Sequence, residues 1–170
     1  MSSLDLKGFG MLAIAALAIG GVALATLHHG AAPPSTSATA TPQELAAPPT
    51  QVAVVDGGTL RLGEHVVRLS GVKPPARGTV CATGMDCAAA AMDALAAMVR
   101  ELPVACQVTG KDALGRPFAV CEASGTELNW AVIAAGWARA DDRQPTLRQA
   151  EAAARAQHRG VWGSARGTGW

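Results

Sequence analysis

Aromatic and charged side chains are scarce in this 170-residue chain. It has no tyrosine and only two phenylalanines, and charged residues make up 16% of it, with a formal net charge of +1. From Gln51 onward, the chain contains thirteen lysines and arginines and eleven acidic residues. Recognition of single-stranded nucleic acid usually combines aromatic faces with a dense basic groove. The composition therefore disfavours a nucleic-acid partner.

Charge is absent altogether from Gly8 to Leu27, a stretch of twenty residues. This length is enough for a helix to cross the core of a bilayer. A secretory signal peptide is the competing interpretation, because small residues at Ala23–Ala25 are typical of a cleavage site. The length favours an uncleaved transmembrane helix. We therefore predict that residues 1–28 form a membrane anchor or signal peptide, and that the rest of the chain lies on the exported side, periplasmic or extracellular.

Residues 29–50 are rich in alanine, proline, serine and threonine. Such a composition buries too little apolar surface to offset the entropy lost on ordering. We expect a disordered linker here, followed by a folded domain at residues 51–163 and a short flexible tail at residues 164–170.

The four cysteines all lie inside that predicted domain, and none forms a CxxC pair. The missing CxxC spacing disfavours zinc and thioredoxin-like redox sites. An even number of cysteines in an exported chain indicates two disulfides, with buried free thiols as the alternative. Of the three possible pairings we favour Cys81 with Cys87, across a short glycine-containing loop, and Cys106 with Cys121, on two strands expected to form a hairpin.

The start of the domain has the pattern of three short strands. They are Val52–Val55, Thr59–Leu62 and Val66–Leu69, separated by turn signals that contain Gly57, Gly58 and Gly63. Connections this short allow only antiparallel pairing, because a parallel pair needs a crossover of a dozen residues or more. The pattern predicts a meander within a small barrel or sandwich.

Further elements follow along the chain. A first helix is predicted with Asp86 as its N-cap, a core face that includes Met92 and an end before Pro103. Two strands, at 104–109 and 118–123, are joined by a long exposed loop that presents Arg116. A second helix is predicted at 126–135 with Thr126 as its cap, and a third at 145–160. We expect Trp130, Trp137 and Trp162 to pack in the core, and Asp141 and Asp142 to be solvated.

Four motifs occur in order along the domain: VVDG-x-T followed by RL-x-GV-x-PP, then DALGR at Asp112–Arg116, ELNWAVIAAGWA at Glu127–Ala138, and AEAAARAQHRGVW at Ala150–Trp162. With these motifs the chain resembles the staphylococcal nuclease, or thermonuclease, family. The resemblance implies an α+β, mainly β, fold: an OB-type five-stranded barrel with three helices. It also implies the family activity, calcium-dependent phosphodiester hydrolysis.

The resemblance aligns the family's two metal-binding aspartates and its catalytic glutamate with Gly58, Lys73 and Ala76. Calcium requires oxygen ligands, which glycine and alanine side chains lack, and lysine places a positive charge where the cation would bind. The family's two phosphate-contacting arginines correspond to Arg68 and Arg116.

We therefore expect a catalytically inactive domain that needs no cofactor or metal and serves as a binding or scaffold module. Its partner would be another envelope or membrane protein, of unknown identity. Two alternatives remain. One is a calcium-dependent nuclease with a metal site rebuilt from Asp56 and Glu64, the only nearby carboxylates. The other is a metal-free binder of phosphate or nucleic acid that uses Arg68 and Arg116.

Overall fold

The computed structural model describes residues 43–81 and 84–163. The predicted anchor at 1–28, most of the predicted linker and the tail at 164–170 lie outside this range. Along the described residues, no helix is both long and apolar enough to cross a membrane.

Nine strands and three helices make up the described fold. The strands are β1 (Glu44–Ala47), β2 (Val52–Asp56), β3 (Thr59–Leu62), β4 (His65–Leu69), β5 (Val72–Lys73), β6 (Val104–Lys111), β7 (Pro117–Ala123), β8 (Thr126–Glu127) and β9 (Arg139–Ala140). The helices are α1 (Cys87–Val99), α2 (Leu128–Ala134) and α3 (Pro145–Ala156), and short 3-10 turns lie at Pro49–Gln51 and Gly160–Trp162.

The predicted antiparallel meander is confirmed. Strand β2 pairs with β3, and β3 pairs with β4, both antiparallel. Strand β4 then pairs in parallel with β7, which pairs antiparallel with β6, and β6 pairs with β1. The two end strands of this sheet, β1 and β2, are consecutive in the chain, so the sheet curves back on itself. The two-residue strand β8 also pairs with β7, at the side of this path. With β8 set aside and β1 and β2 counted as one bent strand, the sheet has five strands, consistent with the predicted OB-type arrangement.

Strand β1 corrects the predicted linker. Residues 44–50 were expected to be disordered, but Glu44–Ala47 pairs with β6. Its inward side chains alternate along the strand: Ala47 is buried, and Leu45 packs against the core. Backbone hydrogen bonds to β6 stabilise this strand, although its amino-acid composition has little preference for the strand conformation. The folded domain therefore begins before the predicted boundary at Gln51.

Helix α1 begins as predicted and ends earlier. The Asp86 carboxylate accepts a hydrogen bond from the Ala89 N–H at 3.0 Å, which confirms the N-cap. The helix ends at Val99, and Met92 is 37% exposed, so its placement in the core was wrong. The buried stripe instead follows Cys87, Ala91, Leu95 and Val99. At Ala91 the helix packs closely against the turn between β2 and β3. A Cβ added at Gly57 would lie only 2.7 Å from the Ala91 Cβ, so this contact requires small residues on both sides.

The other two helices are shorter than predicted. Thr126 does not cap α2, because it belongs to β8, and the N-cap position is Glu127. Helix α3 ends at Ala156, and His158 beyond it has a positive φ of 52°. Trp162 is fully buried and Trp137 packs partly against the core, whereas Trp130 is 46% exposed, so its core assignment was wrong.

Both predicted disulfides are present. Cys81 pairs with Cys87 and Cys106 with Cys121, with Cα–Cα distances of 5.6 and 4.0 Å. The second pair joins directly opposed residues of β6 and β7. Two disulfides in a small domain indicate an oxidising environment of the kind found outside the cytosol.

Candidate functional site

The two arginines expected to contact phosphate lie at one end of the curved sheet. Arg68, on β4, is paired in register with Phe118 of β7, and its guanidinium lies 5.4 Å from the centre of the Phe118 ring. Arg116 lies just before β7, so the parallel β4–β7 pairing brings the two arginines together. The sequence resemblance predicted the residues, and the strand pairing places them on the same surface.

Asp112 links both arginines. Its Oδ2 lies 2.7 Å from Nε of Arg116 and 3.9 Å from Nη1 of Arg68. Its Oδ1 accepts hydrogen bonds from the N–H groups of Leu114 and Arg116, both at 2.9 Å. Partial desolvation raises the pKa of Asp112, but hydrogen bonds from Arg116 outweigh it, and the net pKa is lowered. The carboxylate is therefore ionised at neutral pH, and any bound anion must compete with it for both guanidinium groups.

The same contacts shorten the connection between β6 and β7. A long exposed loop was predicted here, but β6 extends to Lys111 and β7 begins at Pro117. Residues 112–116 form a tight turn closed by the Asp112 N–H donating to the Arg116 carbonyl oxygen at 2.9 Å. Gly115 has a φ of 76°, a conformation that glycine adopts without steric penalty.

Lys73 is held by an acidic partner. Strand β5 pairs with β9, which places Lys73 opposite Arg139 and next to the loop that follows β9. There the Asp141 Oδ2 lies 3.4 Å from the Lys73 Nζ. Asp141 also accepts hydrogen bonds from the N–H and Nε of Arg143, at 3.0 and 3.3 Å. The prediction that Asp141 is simply solvated was therefore wrong.

These contacts lower the pKa of Asp141 to about 2. The largest cause is the hydrogen bond from the Arg143 backbone N–H, followed by that from the Arg143 side chain; the Lys73 ammonium adds to the effect. Lys73 thus occupies the aligned metal-ligand position as a cation with its own counter-ion.

Gly58 is buried against a proline. A Cβ built at this position would lie 3.0 Å from Cδ and 3.1 Å from Cγ of Pro74, and 3.3 Å from Cγ1 of Val72. The Gly58 N–H donates to the Asp56 Oδ1 at 2.9 Å, which closes the turn between β2 and β3. A side chain at this position would require these neighbours to shift by a few tenths of an ångström, so the position is crowded and also carries no carboxylate.

The residues at these positions do not fit calcium. Gly58 and Ala76 supply no side-chain oxygen, and Lys73 brings a positive charge. Within residues 43–81 and 84–163, no group of three or more histidine, cysteine, aspartate or glutamate side chains is arranged to hold a metal ion.

Asp56 and Glu64 do not come together either. Asp56 lies before the Thr59 end of β3, whereas Glu64 follows the Leu62 end. Those ends are separated by the length of the strand, about 10 Å at 3.3 Å per residue. A rebuilt metal site that uses both carboxylates is therefore not formed.

Asn129 fixes the arginine-bearing strands relative to one another. It is 1% exposed at the start of α2, and its Nδ2 donates to the carbonyl oxygens of Ser70 and Ala119 at 2.9 and 3.0 Å. Its Oδ1 accepts from the Cys121 N–H at 3.0 Å. The residue thus bridges α2, the end of β4 and the middle of β7, which is a structural role.

Sequence reasoning missed Asp112 and Asp141 as partners of the site cations. For Asp112 a signal was present, because an aspartate three residues before a glycine in a hairpin favours a side-chain-stabilised turn. For Asp141 no local signal existed, since its partner Lys73 is far away in the chain.

Comparison with protein families agrees with the motifs. The family model described as staphylococcal nuclease homologue matches residues 66–164, which is more than half of the chain. No curated protein matches the sequence. The match begins within β4, which carries Arg68, and includes Lys73, Ala76, Asp112 and Arg116. The chain therefore belongs to the staphylococcal nuclease family.

Proposed function

We propose that this protein is an exported, membrane-tethered member of its family that does not cleave phosphodiester bonds and serves as a binding or scaffold module. Residues 1–28 would hold it at the membrane, and its partner would be another envelope or membrane protein. The two disulfides support export, because such bonds persist in oxidising compartments.

The observation that carries the proposal is the state of the aligned metal site. Lys73 forms an ion pair with Asp141, and a Cβ at position 58 would crowd Pro74 at 3.0 Å. Metal-assisted hydrolysis needs a cation to activate water and to neutralise charge on the phosphoryl group. If these residues keep calcium out, Arg68 and Arg116 have no metal-assisted hydrolysis to support.

The anion-binding alternative is weakened by Asp112. A phosphate that binds between Arg68 and Arg116 must displace a carboxylate that already accepts hydrogen bonds from Arg116. The tip of the hairpin also carries Leu114, which is not aromatic, so a base would find no aromatic face there. A binding function that uses other surfaces therefore fits the residues better.

The test of inactivity uses the full chain, purified in mild detergent, with single-stranded DNA and calcium. We expect the DNA to remain intact, as with a mock preparation. Arg68→Ala is the informative variant, and Arg148→Ala, which removes an exposed arginine on α3, is its matched control. Cleavage that is lost in Arg68→Ala and kept in Arg148→Ala would falsify the proposal.

The test of the scaffold role is a pull-down of the full chain from detergent-solubilised membranes. We expect a partner in a fixed stoichiometric ratio. A chain recovered alone, at several detergent concentrations, argues against this role and leaves the inactivity result unaffected.

A further inference from the structure

A small groove lies between α1 and the loop that follows β5. Its volume is about 250 Å³, and apolar groups such as Val55, Pro75 and Ala88 make up most of its lining. Asp56 and Asp86 also line it, and each carboxylate accepts a backbone hydrogen bond from its own turn or helix start. Pockets for small molecules usually measure about 300–1,000 Å³, so this groove suits one inserted side chain better than a whole ligand.

Exposed apolar side chains gather beside the groove. Met92 lines it from α1 and is 37% exposed. Met85 and Val80 are exposed near the start of the same helix, where Val80 is bridged to the N-cap residue Asp86. Together these three are half of the six exposed large apolar side chains among the residues that the structure describes. Such a cluster is typical of a surface that another protein covers.

Opposite charges lie on the two sides of the groove. Arg77 lines it from the loop, in a tight turn that is closed by the Thr79 N–H donating to the Ala76 carbonyl oxygen at 3.0 Å. On α1, Asp93 is exposed and lies about 100° further around the helix than Met92, beyond the groove. Neither Arg77 nor Asp93 forms an ion pair within residues 43–81 and 84–163.

The order across this surface is therefore positive charge, groove, apolar side chain, negative charge. A surface with this order is complementary to its own reverse. A two-fold rotation sets each Arg77 opposite the other copy's Asp93, and each Met92 opposite the other copy's groove. Contacts that repeat reciprocally in this way define an isologous dimer interface.

From this arrangement we infer that the chain forms a two-fold dimer in which Met92 of each copy inserts into the groove of the other. Methionine suits this insertion because its unbranched side chain adapts to irregular holes. The reciprocal pairs of Arg77 with Asp93 set the register of the two copies and exclude partners with the wrong charge order. The dimer does not depend on whether the chain cleaves DNA or recruits another protein.

The experiment measures the dissociation constant of the dimer by sedimentation equilibrium, with the full chain in a density-matched detergent. Arg77→Asp and Asp93→Arg each place like charges opposite one another twice, so each variant should raise the dissociation constant by about tenfold or more. An equimolar mixture of the two variants restores both attractions, because one copy then carries two acidic groups and the other two basic groups. The mixture, and the double variant Arg77→Asp/Asp93→Arg, should therefore dimerise like the wild type.

Two variants of Met92 test the insertion itself. Met92→Glu should give monomers, because a charge would have to enter the apolar groove, whereas Met92→Leu should keep the dimer. The matched controls are Arg148→Asp and Asp142→Arg, which make the same charge changes at exposed positions away from the groove. Alone or mixed, these controls should dimerise like the wild type.

Several results overturn the dimer. One is a wild type that is monomeric at about 100 μM, or that binds a different protein through Met92 in place of a second copy. Others are single variants that stay dimeric, and a mixture of Arg77→Asp with Asp93→Arg that associates no better than its components. Cleavage of DNA by the wild type would overturn the proposed inactivity and leave the dimer unaffected.

Discussion

Removing the Asn129 side chain is the sharpest test of how this fold holds its arginine-bearing end. In Asn129→Ala, the Cys121 N–H loses its acceptor, and the Ser70 carbonyl loses the Nδ2 donor. The Ala119 carbonyl is affected less, because it also accepts from the Ser70 N–H at 2.8 Å. The substitution therefore removes three hydrogen bonds, leaves the buried Cys121 N–H and the partly buried Ser70 carbonyl without these partners, and leaves a small cavity.

The expected loss follows from these contacts. A buried polar group left without a partner costs about 1–3 kcal/mol, and Asn129 is almost fully buried. For two such groups, with some relaxation, we expect the free energy of unfolding to fall by about 3 kcal/mol. Domains of this size are stable by about 5–15 kcal/mol, so the change is large but leaves a folded state to measure.

The assay is urea denaturation of the full chain with its disulfides intact, followed by tryptophan fluorescence. Fully buried Trp162 reports on the unfolding of the core. The control is Gln149→Ala, which removes an exposed amide on α3 and should change the free energy of unfolding by less than about 0.5 kcal/mol. A loss in Asn129→Ala no larger than in this control would refute the bridging role assigned to Asn129.

Two further predictions concern the aligned metal site. The pKa of Asp141 is about 2, below the ordinary value of 3.8, so its stabilising contribution is complete above about pH 4 and is lost as the pH falls through about 2. The difference in urea midpoint between the wild type and Asp141→Asn should therefore shrink over that range; a difference that stays constant, or one equal to that of Asp142→Asn, contradicts this. Gly58→Asp should lower the free energy of unfolding by about 1–3 kcal/mol through crowding against Pro74, with no rise in the thermal midpoint on adding calcium. The control is Gly110→Asp, because Gly110 has open space around it. A rise in the thermal midpoint of Gly58→Asp on adding calcium would show that the metal site can still be built.

Local patterns were sufficient for several parts of this fold. The β-branched runs and glycine turns between Val52 and Leu69 predicted the meander, since period-two alternation and short turns act over neighbouring residues. The Asp86 cap and both cysteine pairs were predicted on the same basis, from short-range geometry. The family motifs predicted Arg68 and Arg116 as phosphate contacts and, equally, predicted that Gly58, Lys73 and Ala76 replace the family's acidic residues.

Other features depended on contacts between distant segments. Strand β1 forms in an alanine- and proline-rich segment because β6 offers it hydrogen-bond partners, which composition does not reveal. Met92 has the periodicity of a core residue but is exposed, because the close approach of α1 to Gly57 selects the face that carries Ala91.

The amino-acid sequence by itself determined that positions 58, 73 and 76 carry no carboxylate, because the presence of a carboxylate is a property of the residue. Only the tertiary structure decided what the remaining charges do. Asp112 meets Arg68, and Asp141 meets Lys73, through strand pairings that join segments some 40 to 70 residues apart. Ion pairs depend on distances of a few ångströms, and such distances exist only once the chain has folded.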